Sequence, residues 1–146
     1  MAGGTTAYSS KLKKMHAEMD SSHKKKVYFF DNFHKKEKAL FYQMADIFIS
    51  LSDYESFGIV FAEALIHGLP IIASCFGVAG SIVDNFKTGL LVNPYCEDEV
   101  AGAIMELLLD DEIRKRYGEK GREIVLNQYD PLTILAGWEK FLTTLL

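Results

Sequence analysis

The chain has 146 residues, of which 49% are hydrophobic and 12% aromatic. That length supplies one domain's worth of chain, and that composition excludes an intrinsically disordered protein. The net charge is −4, and no run of 18 or more apolar residues occurs, which argues against a membrane-spanning helix.

Short apolar segments alternate with segments of helical periodicity along the whole chain. In chain order, the pattern predicts a helix at residues 9–19, a strand at 27–30, a helix at 35–44, a strand at 46–51, a helix at 57–67, strands at 70–74 and 90–92 with a short helical turn near 82–83 between them, and three closing helices at 97–109, 111–127 and 131–145. Such alternation predicts the α/β class, with a doubly wound parallel sheet covered on both faces.

Two of these helices carry more detailed expectations. In the helix at residues 35–44, we expect Ala39, Leu40 and Met44 to face inward. The helix at residues 57–67 is rich in apolar residues, so both of its faces should be covered. It should end at Gly68, because glycine is a favoured C-terminal stop.

The charge is divided unevenly along the chain. Residues 1–45 contain nine lysines and four acidic residues, whereas the remainder contains seven basic and sixteen acidic residues. A basic first third is compatible with anionic lipid or nucleic acid. No aromatic residues are interleaved with Lys24, Lys25 and Lys26, however, as a nucleic-acid platform requires. We therefore expect solvated lysines and no nucleic-acid partner, and leave peripheral membrane contact open.

The cellular compartment is predicted from the cysteines and the first residues. Cys75 and Cys96 have neither metal nor redox spacing, which predicts reduced thiols in a cytosolic protein. The first ten residues lack the charged start and the long apolar stretch of a secretory signal peptide. We therefore expect a cytoplasmic location.

Two glutamates eight positions apart, Glu55 and Glu63, flank the junction between a predicted buried strand and the helix that follows. In an open parallel sheet, ligands bind beyond the carboxyl ends of the strands. Gly58 lies near the start of the helix, where it would let a ligand approach the backbone and where unpaired N–H groups attract phosphate. Carboxylates accept hydrogen bonds from vicinal hydroxyls. The segment therefore suits a ligand with a central diphosphate and hydroxylated rings at both ends.

A structural alternative explains the same spacing. Glu55 could cap the helix and Glu63 could be an ordinary exposed helix residue, since two glutamates eight positions apart are common. The spacing alone favours this alternative, whereas the segments that surround the two glutamates favour a ligand site.

From Ala2 to about Phe141, the chain resembles the C-terminal domain of retaining GT-B glycosyltransferases of the large family that contains sucrose, glycogen and mannosyl transferases. The resemblance depends on several segments in the family's order and spacing. These are M-A-G-G at 1–4, V-Y-F-F-D-N-F at 27–33, L-F-Y-Q-M-A-D-I-F-I-S-L-S at 40–52, the E-x7-E signature E-S-F-G-I-V-F-A-E-A at 55–64, G-L-P-I-I-A-S at 68–74, T-G-L-L-V-N-P at 88–94 and D-D-E-I-R-K-R-Y-G-E-K-G-R at 110–122.

The resemblance implies roles for particular residues. Glu55 would be the catalytic residue, bonding donor-sugar hydroxyls near the reacting carbon, and Glu63 would hold the ribose. The other residues implied to lie beside the donor are Ser52, Phe57, Gly58, Ile59, Asn32 and Phe33. The substrate would be a UDP-, GDP- or ADP-hexose, transferred with retention of configuration. No cofactor and no metal are expected.

The resemblance also implies how the chain is organised. Residues 1–146 would form a single, incomplete C-terminal donor-binding domain, and the helix in residues 128–146 would pack on an N-terminal domain. The family's diphosphate-gripping Arg and Lys have no counterpart here, because Met1 already corresponds to the second strand. We therefore expect no activity without an N-terminal domain or partner chain. A non-catalytic interaction module and a split-enzyme subunit of the same fold are the alternatives.

Overall fold

The structure, a computed structural model, describes residues 2–3, 7–129 and 131–143. The predicted end of the last helix at Leu145 and part of the M-A-G-G segment lie outside the described residues. The chain divides into two compact units, Met1–Phe41 and Tyr42–Leu146. The expectation of a single domain over residues 1–146 stays a prediction.

The first unit is built around a short pair of parallel strands. Strand β1 (Ala2–Gly3) pairs with β2 (Phe30–Asp31). Helices α1 (Ala7–Glu18) and α2 (Ser21–Lys24) connect them, and α3 (Lys35–Met44) begins in this unit. The predicted buried strand at residues 27–30 is wrong, because strand geometry begins only at Phe30 and both residues of β2 are exposed.

The inward face predicted for α3 is also wrong. Leu40 is 54% exposed and Met44 is 81% exposed, and Ala39 is exposed as well. Instead, Tyr42 is buried and Phe41 is half-buried. Several sets of apolar residues at helical spacing were available on this helix, and the aromatic side chains bury the larger area.

The second unit contains a three-stranded parallel sheet in the order β3–β4–β5. Its strands are β3 (Phe48–Ser50), β4 (Ile71–Ser74) and β5 (Gly89–Val92). Its helices are α4 (Ile59–Ile66), a 3₁₀ turn (Gly77–Ser81), α5 (Glu97–Leu109), α6 (Asp111–Gln128) and α7 (Pro131–Thr143). Every residue of the central strand, β4, is buried.

The sheet has an apolar cluster on each face, as a doubly wound architecture requires. Along β4, Ile71 and Ala73 join the cluster that contains Phe61 and Leu65 of α4. The intervening Ile72 joins the opposite cluster, which contains Leu107 of α5. This alternation follows from the two-residue period of side chains in a strand. The predicted fold class is therefore confirmed in this unit.

Helix α4 ends as predicted. Gly68 has a φ of +76°, a conformation that glycine adopts without strain. The N–H of Gly68 donates to Leu65 O at 2.9 Å, and the N–H of Leu69 donates to Ala64 O at 3.1 Å. This pair of bonds is a Schellman motif, which satisfies carbonyl groups that the helix leaves unpaired.

Within the described ranges, none of the helices combines the length and the apolar character needed to cross a bilayer.

Candidate functional site

The loop after β3 carries the first set of predicted site residues. Ser52 closes a local turn, in which its hydroxyl donates to Tyr54 O at 3.0 Å and accepts from the N–H of Tyr54 at 3.3 Å. Glu55 is half-buried, whereas Phe57 is 80% exposed. The loop therefore presents a carboxylate and an aromatic ring at the carboxyl edge of the sheet, where an open α/β sheet binds its ligands.

Helix α4 begins at Ile59, two residues later than predicted, because Gly58 is left-handed with a φ of +63°. A Cβ on Gly58 would lie 2.4 Å from Ile82 Cδ1 and 3.0 Å from Phe61 Cδ2. The glycine is buried, so its missing side chain makes room for the protein's own core. This use of the space differs from the expectation from sequence, in which a ligand approaches the backbone there.

The N-terminus of α4 retains the features of an anion site. Gly58 has no side chain to cap the helix. The first backbone hydrogen bonds of the helix are donated by the N–H groups of Phe61 and Ala62 to Gly58 O. The initial N–H groups of a helix have no partner within the helix and carry partial positive charge. They can therefore receive a phosphate beside the 62% exposed Ile59.

Glu63 lies on α4, one turn beyond this N-terminus, and its carboxylate is restrained by a buried tyrosine. The Tyr42 hydroxyl donates to Glu63 Oε2 at 3.0 Å. Burial, and then the hydrogen bond to Glu63 and the charge of Glu63, raise the pKa of Tyr42 well above its ordinary value. Tyr42 therefore stays a donor to this carboxylate at any physiological pH.

His67 completes this group. Its ring stacks on Tyr42 with centroids 5.2 Å apart, and its Nδ1 lies 2.8 Å from Glu63 O. Because a carbonyl only accepts, Nδ1 carries the proton and donates. Tyr42 is thus held between a ring and a carboxylate, and sequence reasoning missed its role because Tyr42 and Glu63 are 21 positions apart.

Asn32 and Phe33, which the resemblance implies lie beside the donor, belong to the first unit. Asn32 has a φ of +53°, which a short polar side chain tolerates better than most. The Phe33 ring meets that of Phe41 edge-on, with centroids 5.1 Å apart. Their role beside a nucleotide stays a prediction.

Sequence reasoning also missed a hydrogen-bonded group at the carboxyl edge of the sheet. Asp53 follows β3, Ser74 ends β4 and Tyr95 follows β5. The Ser74 hydroxyl donates to Asp53 Oδ1 at 2.8 Å, and the Tyr95 hydroxyl donates to Asp53 Oδ2. Polar residues at the ends of three parallel strands are the signal that could have indicated this group, because those ends meet at one edge.

These bonds shift the acidities of both partners. The hydrogen bond from Tyr95, followed by that from Ser74, lowers the pKa of Asp53 below its ordinary value. The same hydrogen bond and the charge of Asp53 raise the pKa of Tyr95. The pair is therefore ionised carboxylate and neutral phenol at neutral pH.

Across the described parts of the chain, no three His, Cys, Asp or Glu side chains lie close enough to hold a metal ion. The expectation of a metal-free donor site stays a prediction, and it rests on the family resemblance.

Comparison with known proteins extends these observations. The α-(1-6)-phosphatidylinositol monomannoside mannosyltransferase of Mycobacterium tuberculosis, described as GDP-mannose-dependent, is 42% identical over 90 residues, which are 62% of this chain and 23% of that protein. The matched segment thus covers between 7% and 25% of the length of the curated relatives compared, so the chain spans a quarter of that length or less.

Solved structures share the fold. Sucrose-phosphate synthase from Thermosynechococcus elongatus superposes with a TM-score of 0.82 and 28% identity, over 99% of this chain and 37% of that one. HepE of Anabaena, in a structure with UDP and glucose, superposes with a TM-score of 0.76 and 21% identity, over 97% of this chain and 39% of that one. Both superpositions show that this chain shares its fold with these two proteins.

The model of the family described as glycosyl transferases group 1 matches residues 1–124, which confirms the resemblance read from the motifs. With a matching fold and the strand–loop–helix segment of Glu55 and Glu63 at the sheet edge, the chain belongs to the glycosyl transferases group 1 family.

Proposed function

We propose that this chain forms the donor side of a hexosyltransferase and binds a nucleoside diphosphate sugar along α4. The observation that carries the proposal is the position of the α4 N-terminus between two carboxylates, Glu55 in the preceding loop and Glu63 one turn along the helix. In this arrangement the diphosphate lies at the helix N-terminus, the sugar at Glu55 and the ribose at Glu63.

Two features of the donor site support the assignment of Glu63 to the ribose. The hydroxyl of Tyr42 restrains its carboxylate, so little side-chain entropy remains to be lost when hydroxyl groups bind. A carboxylate repels phosphate but accepts hydrogen bonds from vicinal hydroxyls, and hydrogen bonds to a charged group contribute about 1.5–3 kcal/mol.

The donor class is supported by relatives of this chain. The mycobacterial mannosyltransferase is described as dependent on GDP-mannose, and the HepE structure contains UDP and glucose. The bases differ, and the common chemistry is a nucleoside diphosphate with a hexose, which a further HepE structure contains in joined form as UDP-glucose. We propose that common chemistry for this chain and leave the base to experiment.

For the reaction, we propose transfer with retention of configuration and without a metal. Glu55 would bond sugar hydroxyls near the reacting carbon, while backbone N–H groups at the α4 N-terminus stabilise the charge that develops on the leaving diphosphate. Preorganised donors of this kind are usually the largest single catalytic contribution.

A second domain over the donor is part of this proposal. Phe57 and Ile59, next to the expected diphosphate position, are 80% and 62% exposed. Closure of another domain over these apolar groups would exclude water from the reacting centre. We therefore expect the 146-residue chain alone to bind the donor but to transfer no sugar, and a product assay with UDP-glucose or GDP-mannose checks this expectation.

Titration calorimetry with UDP, GDP, ADP and their glucose and mannose conjugates tests the donor site. Glu63→Gln should weaken both the free nucleotide and its sugar conjugate by about tenfold or more. Glu55→Gln should weaken the conjugate alone. Glu106→Gln, an exposed carboxylate on α5, is the matched control and should leave both affinities unchanged. Absence of binding by the folded wild-type chain, or equal effects of all three variants, would contradict the proposal.

A further inference from the structure

The carboxylate of Asp53 joins the three segments that follow the strands of the sheet. It belongs to the loop after β3, and it accepts one hydrogen bond on each oxygen. Oδ1 accepts from Ser74, the last residue of β4, and Oδ2 accepts from Tyr95, three residues beyond β5. Oδ1 is therefore bonded to the end of β4, and Oδ2 is bonded to the segment that follows β5.

The turn after β4 is also packed directly on Asp53. Gly77 has a φ of +75°, and a Cβ there would lie only 2.7 Å from Asp53 O. The N–H of Phe76 donates to Ser74 Oγ at 3.1 Å, so the hydroxyl that bonds Asp53 also holds this turn. Phe76 and Tyr95 in turn have ring centroids 6.2 Å apart.

This arrangement distinguishes Asp53 from the neighbouring predicted site residues. Glu55 follows it by two positions and Phe57 by four, and both lie in the same loop. Among the described residues, the side chain of Ser52 bonds within the loop, to the backbone of Tyr54. Asp53 is therefore the side chain of this loop whose described bonds reach the other two strands.

We propose that Asp53 is a positioning residue that fastens the loop carrying Glu55 to the ends of β4 and β5. This inference rests on the proposed function, because it assigns the loop to the donor sugar. A fixed loop holds Glu55 ready before the donor arrives, so the entropy of ordering the loop is not lost on binding. Ser74 and Tyr95 act through Asp53, and none of the three is required to touch the donor.

The fastening of the Glu55 loop by Asp53, here called the tether, is tested first in the ligand-free chain. Hydrogen–deuterium exchange should become faster in the segment 53–58 of Tyr95→Phe and Asp53→Asn, while the amides of β4 keep their wild-type protection. Tyr54→Phe removes a hydroxyl from the same loop without touching Asp53, and it should leave exchange unchanged. Unchanged exchange in both Tyr95→Phe and Asp53→Asn would overturn the tether, whether or not any ligand binds.

Binding then tests the positioning role. Using the nucleotide that the wild-type chain prefers, Tyr95→Phe should weaken the sugar conjugate by about tenfold and leave the free nucleoside diphosphate unchanged, because Glu55 contacts only the sugar. If Tyr95→Phe weakened the binding of both ligands equally, or left the binding of both unchanged, the positioning role would be overturned. If the wild-type chain binds no nucleotide sugar, the proposed function fails, and the exchange data still decide the tether.

Discussion

Tyr42 shows how a single buried side chain prepares Glu63 for a ligand. Its ring packs against Phe48 and His67, with centroids 5.7 and 5.2 Å away, and its hydroxyl reaches the Glu63 carboxylate. The apolar ring anchors the tyrosine, and the polar tip lies beside the carboxylate. A phenylalanine would keep the anchoring ring and lose the hydroxyl beside the carboxylate.

Tyr42→Phe should therefore destabilise the fold modestly. The loss of one hydrogen bond to a charged, partly exposed group should lower the free energy of unfolding by about 0.5–1.5 kcal/mol. Urea denaturation at neutral pH measures the change. Tyr129→Phe, which removes an exposed hydroxyl, serves as the control. A Tyr42→Phe chain as stable as the wild type would show that solvent replaces the tyrosine at Glu63 without cost.

The Asp53–Tyr95 pair predicts a dependence of stability on pH. Because hydrogen bonds lower the pKa of Asp53 in the folded chain, its contribution to stability is complete above the unfolded pKa of about 4 and is lost as the pH falls through the folded value. Because the pKa of Tyr95 is raised, its contribution is complete below the unfolded pKa of about 10 and is lost as the pH rises through the folded value.

Tyr95→Phe should thus have a lower melting temperature than the wild type across the neutral range, with a difference that narrows below about pH 4 and above about pH 10. Thermal unfolding of both proteins at a series of pH values measures this difference. Because phenylalanine keeps the ring, a gap that stays constant from acid to alkaline pH would show that the hydrogen bond to the ionised Asp53 carboxylate does not account for the effect.

At the scale of elements, α6 packs on the end of α4 through two small residues. A Cβ on Gly118 would lie 1.9 Å from Gly68 O, and a Cβ on Gly121 would lie 2.4 Å from Leu65 Cδ2. The first clash is with backbone, which cannot rotate away, whereas the second is with the end of a side chain. Gly118 therefore sets how closely α6 approaches the C-terminal turn of α4.

Gly118→Ala should consequently destabilise the chain by about 1–3 kcal/mol, although alanine favours a helix more than glycine. The same substitution at Gly102, on α5, meets open space and should stabilise the chain by about 0.5–1 kcal/mol. Chemical denaturation of the two variants compares them directly. If both substitutions changed the free energy of unfolding in the same direction by a similar amount, the packing argument would be contradicted.

Most helices and strands could be predicted from local pattern. The bounds of α3 and α5 agree with those predicted, and those of β4, β5 and α6 differ by one residue. The start of α4 could not be predicted, because local pattern does not show that Gly58 is left-handed with Ile82 of another segment packed against it. The prediction of which face of α3 lies inward failed for a similar reason, since contacts beyond the helix decide which side is covered.

At the scale of the whole molecule, the two units differ in how much they bury. The described side chains of α1 include no buried residue, whereas all of β4 is buried between two apolar clusters. Stability is not uniform in such a chain, because regions with few buried contacts open locally.

Native-state hydrogen exchange should therefore separate the two units. The amides of β4 and α4 should exchange only through global unfolding, and those of α1 should exchange through local opening at a much higher rate. Measurement at increasing denaturant concentrations distinguishes the two routes. Equal protection in α1 and β4 would show that the two units unfold together.

By itself, the sequence determined the order of the helices and strands from α3 onward, the buried strand β4, the Gly68 helix stop and the membership of the glycosyl transferases group 1 family. These features depend on residue period, on backbone preference or on motifs of a few residues. Only the tertiary structure decided that Tyr42 bonds Glu63 and that Asp53 joins Ser74 and Tyr95. Those partners are 21 and 42 positions apart, and chain folding rather than local pattern brings them together.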